Sequence, residues 1–392
     1  MAARRFPDGF LWGTATSAHQ VEGGNWNTDW WAWEHTPGSP CQEPSGDACD
    51  HWHRYRDDVR LLAELGFTAY RFSIEWSRIE PEEGEFSAAA LDHYRRVCAA
   101  CLEHGLDAVV TLHHFTIPRW LAARGGFADP ATAERFARYA ERAARHLRGV
   151  VAGVCTINEP NIVAAFGYRW GLFPPGLRDA GARRRADDTL IAAHRRAVTA
   201  VKEALAGVPV GLCVSMNEYQ AEPGGEAHMQ EERRLMEDQY LEAARGDDFV
   251  GVQTYTRTRF GPDGLLPPPT GARLTMMPYE YWPQALEATI RRATEVTRGV
   301  PVLVTEHGIA TQDDAERIAF VEEGLRSVQR CLAAGIDVRG YVYWSLLDNF
   351  EWVLGYRPVF GLVAVDRATQ RRAPKPSAAW LGAVARANAF GG

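Results

Sequence analysis

The sequence predicts an α/β fold. It reads as one (β/α)8 TIM barrel filling residues 1–392 as a single domain, with its site at the C-terminal ends of the strands. Three observations carry this. Eight short apolar runs recur along the 392 residues, amphipathic stretches lie between them, and polar and aromatic residues gather where the runs end. A barrel of this type occupies about 200 to 400 residues and uses that order of elements. A doubly wound open sheet shares the alternation, but no G-x-G-x-x-G follows an early run.

The eight expected strands are Phe10–Thr14, Ala69–Ile74, Ala108–His113, Val151–Ile157, Val208–Val214, Phe249–Tyr255, Val300–Thr305 and Gly340–Ser345. Most are rich in Val, Ile, Leu and aromatics, as parallel strands buried on both faces require. Helical spacing fills the gaps. Tyr55 to Leu65 sets Val59, Leu62 and Leu65 on one side, and Leu91 to His104 continues the pattern. Ala131 to Leu147 carries Phe136, Ala140 and Leu147 among Arg and Glu. Asp187 to Leu205, Tyr281 to Arg298 and Ala315 to Ala334 read the same way. Pro174-Pro175-Gly176 and Pro267-Pro268-Pro269 mark loops that follow strand ends.

Composition narrows the function. The chain is 46% hydrophobic and carries a formal charge of −7 without a long charged tail. That excludes a general nucleic-acid binder, and Arg183-Arg184-Arg185 reads as a solvated loop or helix start. No apolar stretch approaches the ~20 residues that cross a bilayer. The start, Met1 to Pro7, shows no apolar leader core, and seven scattered cysteines read as reduced thiols. Both features predict a cytoplasmic protein with no membrane partner. Cys98 and Cys101 form a CxxC inside a helical stretch without a second ligand pair, so they read as structural. No HExxH, G-x-S-x-G or Walker-type loop is present, and no metal or cofactor is called for. Thirteen Trp and thirteen Tyr suit stacking on sugar faces, although aromatics also build cores.

The strand ends hold the chemistry. Strand one leads to Gln20 and Glu22, strand two holds Arg71 and leads to Glu75 and Trp76, and strand three ends in His113-His114-Phe115. Strand four delivers Asn158 and Glu159, strand six Tyr255, strand seven Glu306 and His307, and strand eight Trp344. Asp348, Asn349, Glu351 and Trp352 follow. A lone strand-end glutamate commonly caps a helix or pairs with an arginine. Two of them, at the mouths of two buried strands, are what cleavage of a sugar acetal requires: one protonates the leaving oxygen and the other attacks the sugar carbon.

Five segments then show a resemblance. Phe6 to Gly23, Tyr70-Arg71-Phe72-Ser73-Ile74-Glu75-Trp76-Ser77-Arg78, Thr156-Ile157-Asn158-Glu159-Pro160, Val304-Thr305-Glu306-His307-Gly308 and Trp344 to Trp352 resemble, in order, the motifs of the family 1 glycoside hydrolases. This is the retaining β-glucosidase and β-galactosidase group, and the likeness runs from Phe6 to about Trp380. It implies Glu306 as nucleophile and Glu159 as general acid/base, with Arg71 and Tyr255 holding Glu306 ionised. It implies Gln20, His114, Phe115, Asn158, Tyr255, Trp344, Glu351, Trp352 and Phe360 around the sugar, and a small-molecule glycoside as the partner. Glu351 would accept from paired hydroxyls and repel a 6-phosphate. A transglycosylase would share the glycosyl-enzyme intermediate. A sugar-binding protein without catalysis would share the fold, though not the need for both glutamates.

Three positions depart from the family pattern. Phe115 stands where Trp is usual, Gln253-Thr254-Tyr255 where Asn-Tyr-Tyr is usual, and His307 where Asn is usual. Phe115 has no N–H, so one contact to the sugar 3-hydroxyl should be missing. All three changes are expected to alter the surroundings of the glutamates. The segments Asn217–Asp248 and Thr256–Gly299 read as trimmed, which would open the aglycone side to a bulky or hydrophobic group.

Overall fold

The computed structural model describes residues 4–391. Met1, Ala2 and Ala3, part of the start read above for a leader, lie outside the described residues, as does Gly392. Eight parallel strands close a barrel in chain order: β1 (Leu11–Thr16), β2 (Ala69–Ser73), β3 (Asp107–His113), β4 (Gly153–Asn158), β5 (Val210–Ser215), β6 (Phe249–Thr254), β7 (Val302–His307) and β8 (Val338–Trp344). Closure is made by β8 against β1, with Gly340 opposite Leu11 and Trp344 opposite Ala15. Every expected strand is present, with ends displaced by a few residues. Tyr255 stands just beyond β6, and Glu306 and His307 lie inside β7 rather than after it.

Alternate residues along the strands fall into two groups, as the two-residue period dictates. Val110, Leu112, Ile157, Leu212 and Val250 join the large core beneath the helices. Val109, Cys155, Cys213, Phe249 and Leu303 form a separate small cluster that plugs the barrel.

The outer layer comprises α1 (His51–Leu65), α2 (Ala88–Glu103), α3 (Thr132–His146) and α4 (Ala180–Ala204). It continues with α5 (226–243), α6 (Ala285–Thr297), α7 (Asp314–Ala333) and α8 (Pro376–Ala387). Polar caps start several of them. Asp179 accepts from the Gly181 and Ala182 amides at α4, and Asp313 accepts from the Ala315 and Glu316 amides at α7. α3 buries Phe136, Tyr139, Ala140 and Ala143, the apolar stripe visible in its sequence. α5 has no such stripe. Its first segment, Glu226–Arg233, buries nothing, and a π-helical turn at Arg234–Asp238 interrupts it. Periodicity therefore missed it.

The segments after β5 and β6 also build a small sheet at the barrel mouth from Glu218–Ala221, Arg257–Gly261 and Gly264–Leu266. At the opposite end Arg4–Arg5 pairs with Ala389–Phe390, tying the two ends of the described chain together. All seven cysteines are free, and Cys98 and Cys101 are buried within α2. Among the described residues, no helix is long and apolar enough to cross a membrane.

Candidate active site

The two glutamates sit at the C-terminal mouths of β4 and β7, both buried. Glu159 follows Asn158 at the point where the strand turns into a short helix begun by Pro160, and its backbone adopts φ 45°. Phe115 and Trp352, also at the mouth, have φ 70° and 52°. Non-glycine residues in this left-handed region each cost about 1–3 kcal/mol, and such residues concentrate at functional sites.

Arg71 joins the two strands. Its Nη1 donates to Glu306 Oε1 at 2.7 Å, and its Nη2 donates to Asn158 Oδ1 at 2.5 Å. Tyr255 Oη donates to the other Glu306 oxygen, Oε2, at 2.6 Å. Both oxygens of Glu306 therefore accept hydrogen bonds. Gln253, opposite Glu306 in the β6–β7 register, donates to Asn158 Oδ1 at 2.9 Å.

Three carboxyls, on Glu159, Glu306 and Glu351, lie close together here, and of these Arg71 bonds only Glu306. Burial and then the charge of Glu306 push Glu159 far above the usual carboxyl range. Burial also raises Glu306, but Arg71 and Tyr255 oppose that rise directly. Glu351 is pushed up to about 8 by burial and by Glu306, against the pull of Gln20. Only Glu306 accepts from an adjacent cation, so the ionised form is favoured there over Glu159 and Glu351. Burial and Arg71 keep His114 neutral. Its Nε2 accepts from Asn158 Nδ2 at 3.3 Å, which leaves the proton on Nδ1. Among the described residues, His114 Nδ1 and Gln253 Oε1 have no partner in the protein.

The far wall is Gln20, Glu351 and the aromatics. Gln20 Nε2 donates to the Phe350 carbonyl at 2.7 Å and to Glu351 Oε2 at 3.4 Å. Trp344 stacks on His114 at 5.7 Å, and Trp352 stacks on His114 at 6.1 Å and packs on Phe115 at 5.0 Å. Phe360 is edge-on to Tyr255 at 5.8 Å in a cluster with Trp344, so it braces the site.

Several strand-end residues do not join. Glu22 accepts from Tyr94 at 2.8 Å and pairs with Arg78 at 2.9 Å. Glu75 accepts from Thr116 at 2.8 Å. Trp76 stacks on Tyr139 at 4.8 Å, and His113 packs on Phe127 and Phe136 beneath the helices. Asp348 anchors Lys375 at 2.8 Å. His307 is a correction: it does not alter the surroundings of the glutamates. Glu306 faces the barrel, so its neighbour turns the other way. His307 bonds Tyr341 at 2.7 Å, stacks on Phe320 at 4.9 Å and lies against Gly324 of α7.

Two residues escaped the sequence reading. Ser215, at the end of β5, neighbours Glu159 and pulls its carboxyl down. The strand-end rule could have found it. Tyr279, half-buried in the loop after β6, lies near Glu351 and Glu159, and burial followed by these two carboxyls pushes its phenol up. No local signal marks it. Beside Tyr255, Ser215 and Tyr279 lies a cavity of about 570 Å³.

The chain has relatives in sequence and in structure. The model of the glycosyl hydrolase family 1 matches residues 2–259 and 269–390. The thermostable beta-glucosidase B of Thermobispora bispora is 37% identical over 438 residues, covering 98% of this chain and 91% of the relative. Beta-glucosidase A of Thermotoga maritima is 31% identical over 442 residues, covering 99% of each. Both alignments are longer than the 392 residues here, so the relatives carry stretches that this chain lacks. Among solved structures, the beta-glycosidase BGL167 superposes with a TM-score of 0.92 at 49% identity, covering 99% of this chain and 98% of that one. The Thermotoga maritima family 1 enzyme superposes with a TM-score of 0.94 at 30% identity, covering 100% of both chains. A match that spans the sequence and breaks only at 260–268 makes this protein a member of glycosyl hydrolase family 1, and hence a glycosyl hydrolase enzyme.

Proposed function

We propose that the protein is a retaining β-glycosidase acting on terminal β-D-glucosyl residues, with galactosyl, fucosyl or modified sugars as further substrates. The whole chain would work as one catalytic domain. The observation that carries this is the divided ionisation of two glutamates at one barrel mouth. Glu306 has a guanidinium on one oxygen and a phenol on the other, whereas Glu159 is buried beside that anion with no cation of its own. The curated relatives are named β-glucosidases.

In the first step Glu159 gives its proton to the glycosidic oxygen while Glu306 attacks the anomeric carbon, and the aglycone leaves as an alcohol. Bonding to the sugar removes the charge of Glu306, which together with burial raises the Glu159 carboxyl. Glu159 then loses its proton more readily. In the second step it takes a proton from water, whose oxygen attacks the anomeric carbon and frees Glu306. Asn158 lies within the same hydrogen-bond network and would hold the 2-hydroxyl, while His114 Nδ1 supplies an open donor. A 6-phosphosugar lacks a counterion here, because Arg71 is already committed to Glu306 and Asn158.

Glu306→Gly should abolish turnover of nitrophenyl β-D-glucoside. Glu159→Ala should slow methyl glucoside about 10²–10⁴-fold, and a dinitrophenyl leaving group, which needs no proton, far less. Proton NMR during wild-type hydrolysis should show β-glucose first. Initial α-glucose, or an unaffected Glu306→Gly enzyme, would overturn the assignment.

A further inference from the structure

The cavity beside Tyr255 has a wall that falls where the family match breaks. Arg257–Gly261 and Gly264–Leu266 form a tight antiparallel hairpin, with Gly261 opposite Gly264 and Phe260 opposite Leu265. Gly264 takes φ 107°, which the turn needs and a side chain resists. Directly opposed residues project to the same face of a ribbon. Phe260 and Leu265 therefore stand side by side on the cavity, Phe260 buried at 3% and Leu265 open at 71%. The family match breaks over residues 260–268, the stretch holding both of them.

Across the cavity stand Ile162, Phe166, Trp170 and Met236. Trp170 is itself an exposed large apolar residue, and Phe166 meets it edge-on at 4.9 Å. Most polar groups around them are already used. Arg169 pairs with Glu232 at 3.0 Å, Asn217 donates to Thr258 at 3.0 Å, and His228 bonds the Pro262 carbonyl at 3.1 Å. These pairings leave a second sugar fewer free donors and acceptors than the lining would otherwise offer. The volume, about 570 Å³, lies within the usual range for small-molecule sites.

We propose that the 257–266 hairpin makes the leaving-group side of this site selective for an extended apolar aglycone, an alkyl or aryl alcohol, over a second sugar. Leu265 is its specificity-determining residue. The inference rests on the glycosidase reading, because two lining residues touch the glutamates: Tyr255 donates to Glu306 and Ser215 neighbours Glu159. Glu231 lines the same cavity and, among the described residues, has no ion-pair partner. It therefore disfavours an anionic aglycone.

The test is a series from methyl to hexyl β-D-glucoside, with cellobiose for comparison. The leaving alcohols barely differ in acidity, so chain length reports contact with the wall. In the wild type, kcat/KM should rise about two- to fourfold per methylene. Cellobiose should be poorer than hexyl glucoside. Leu265→Ser, at an exposed position, should lower kcat/KM for hexyl glucoside about five- to twentyfold more than for methyl glucoside. A flat chain-length profile, a preference for cellobiose, or equal losses across the series overturns the proposal while leaving the glycosidase reading intact. Failure to cleave any member, nitrophenyl glucoside included, overturns both.

Discussion

Arg71 does more than neutralise one carboxylate. Its fork reaches Glu306 with one nitrogen and Asn158 with the other, so the two catalytic strands share one rigid group. Adjacent residues with similar chemistry part ways around it. His114 enters the site and His113 does not; Glu306 enters and His307 does not. Phe115 keeps the site position but fills it with carbon, packed on Trp352 and Phe173. A neutral hydrogen bond contributes about 0.5–1.5 kcal/mol. Removing the substrate 3-hydroxyl should therefore cost this enzyme about two- to tenfold less in kcat/KM than it costs a Phe115→Trp variant. Equal losses in the two proteins would refute the missing contact.

Between the strands that carry the glutamates, β5 and β6 approach each other closely where a side chain is absent. Gly211 of β5 lies opposite Phe249 of β6, and a Cβ at that position would stand 2.2 Å from the Phe249 carbonyl oxygen. Backbone cannot yield as a flexible side chain can. Gly211→Ala should therefore destabilise the barrel by about 1–3 kcal/mol, seen as a lower midpoint in urea. An unchanged midpoint would mean that β5 and β6 can separate freely. The α5 segment shows the opposite limit. It is helical although its first two turns bury nothing, so its place is set by the small sheet and cavity it packs against.

Summed over the protein, burial leaves a distinctive pH signature. Asp29, Glu237 and Glu351 are each raised to about 8. A carboxyl raised on folding binds its proton more tightly in the folded chain. The stability it contributes is complete below its unfolded value and is lost as pH rises through the folded value. Asp58, held low by His51 and Arg372 despite burial, has the opposite sign and loses its contribution as pH falls. Buried His93, His113, His114 and His307, lowered by desolvation, oppose this below about pH 6.5, so thermal stability should decline from about pH 6.5 to pH 8. Glu237→Gln should flatten that decline, because the amide has no proton to lose. A melting temperature that rises steadily through pH 8 would contradict the burial of these acids. Activity has its own window. On the proposed roles it should fall at low pH as Glu306 takes up a proton, and at high pH as Glu159 loses its own.

The barrel and its two glutamates were legible in the sequence because both signals are local. Apolar runs reveal themselves within a few residues, and a strand's end is the next position along the chain. Orientation at those ends was less legible. Alternation separates His113 from His114, but only the closed ring determines which of them faces inward. The shift in ionisation between Glu159 and Glu306 was beyond any local reading. It depends on Arg71, 235 residues before Glu306, and on how completely water is removed. Tyr279 and the Phe260–Leu265 wall entered for the same reason: charge and apolar contact act through space, and only the folded chain brings those groups together.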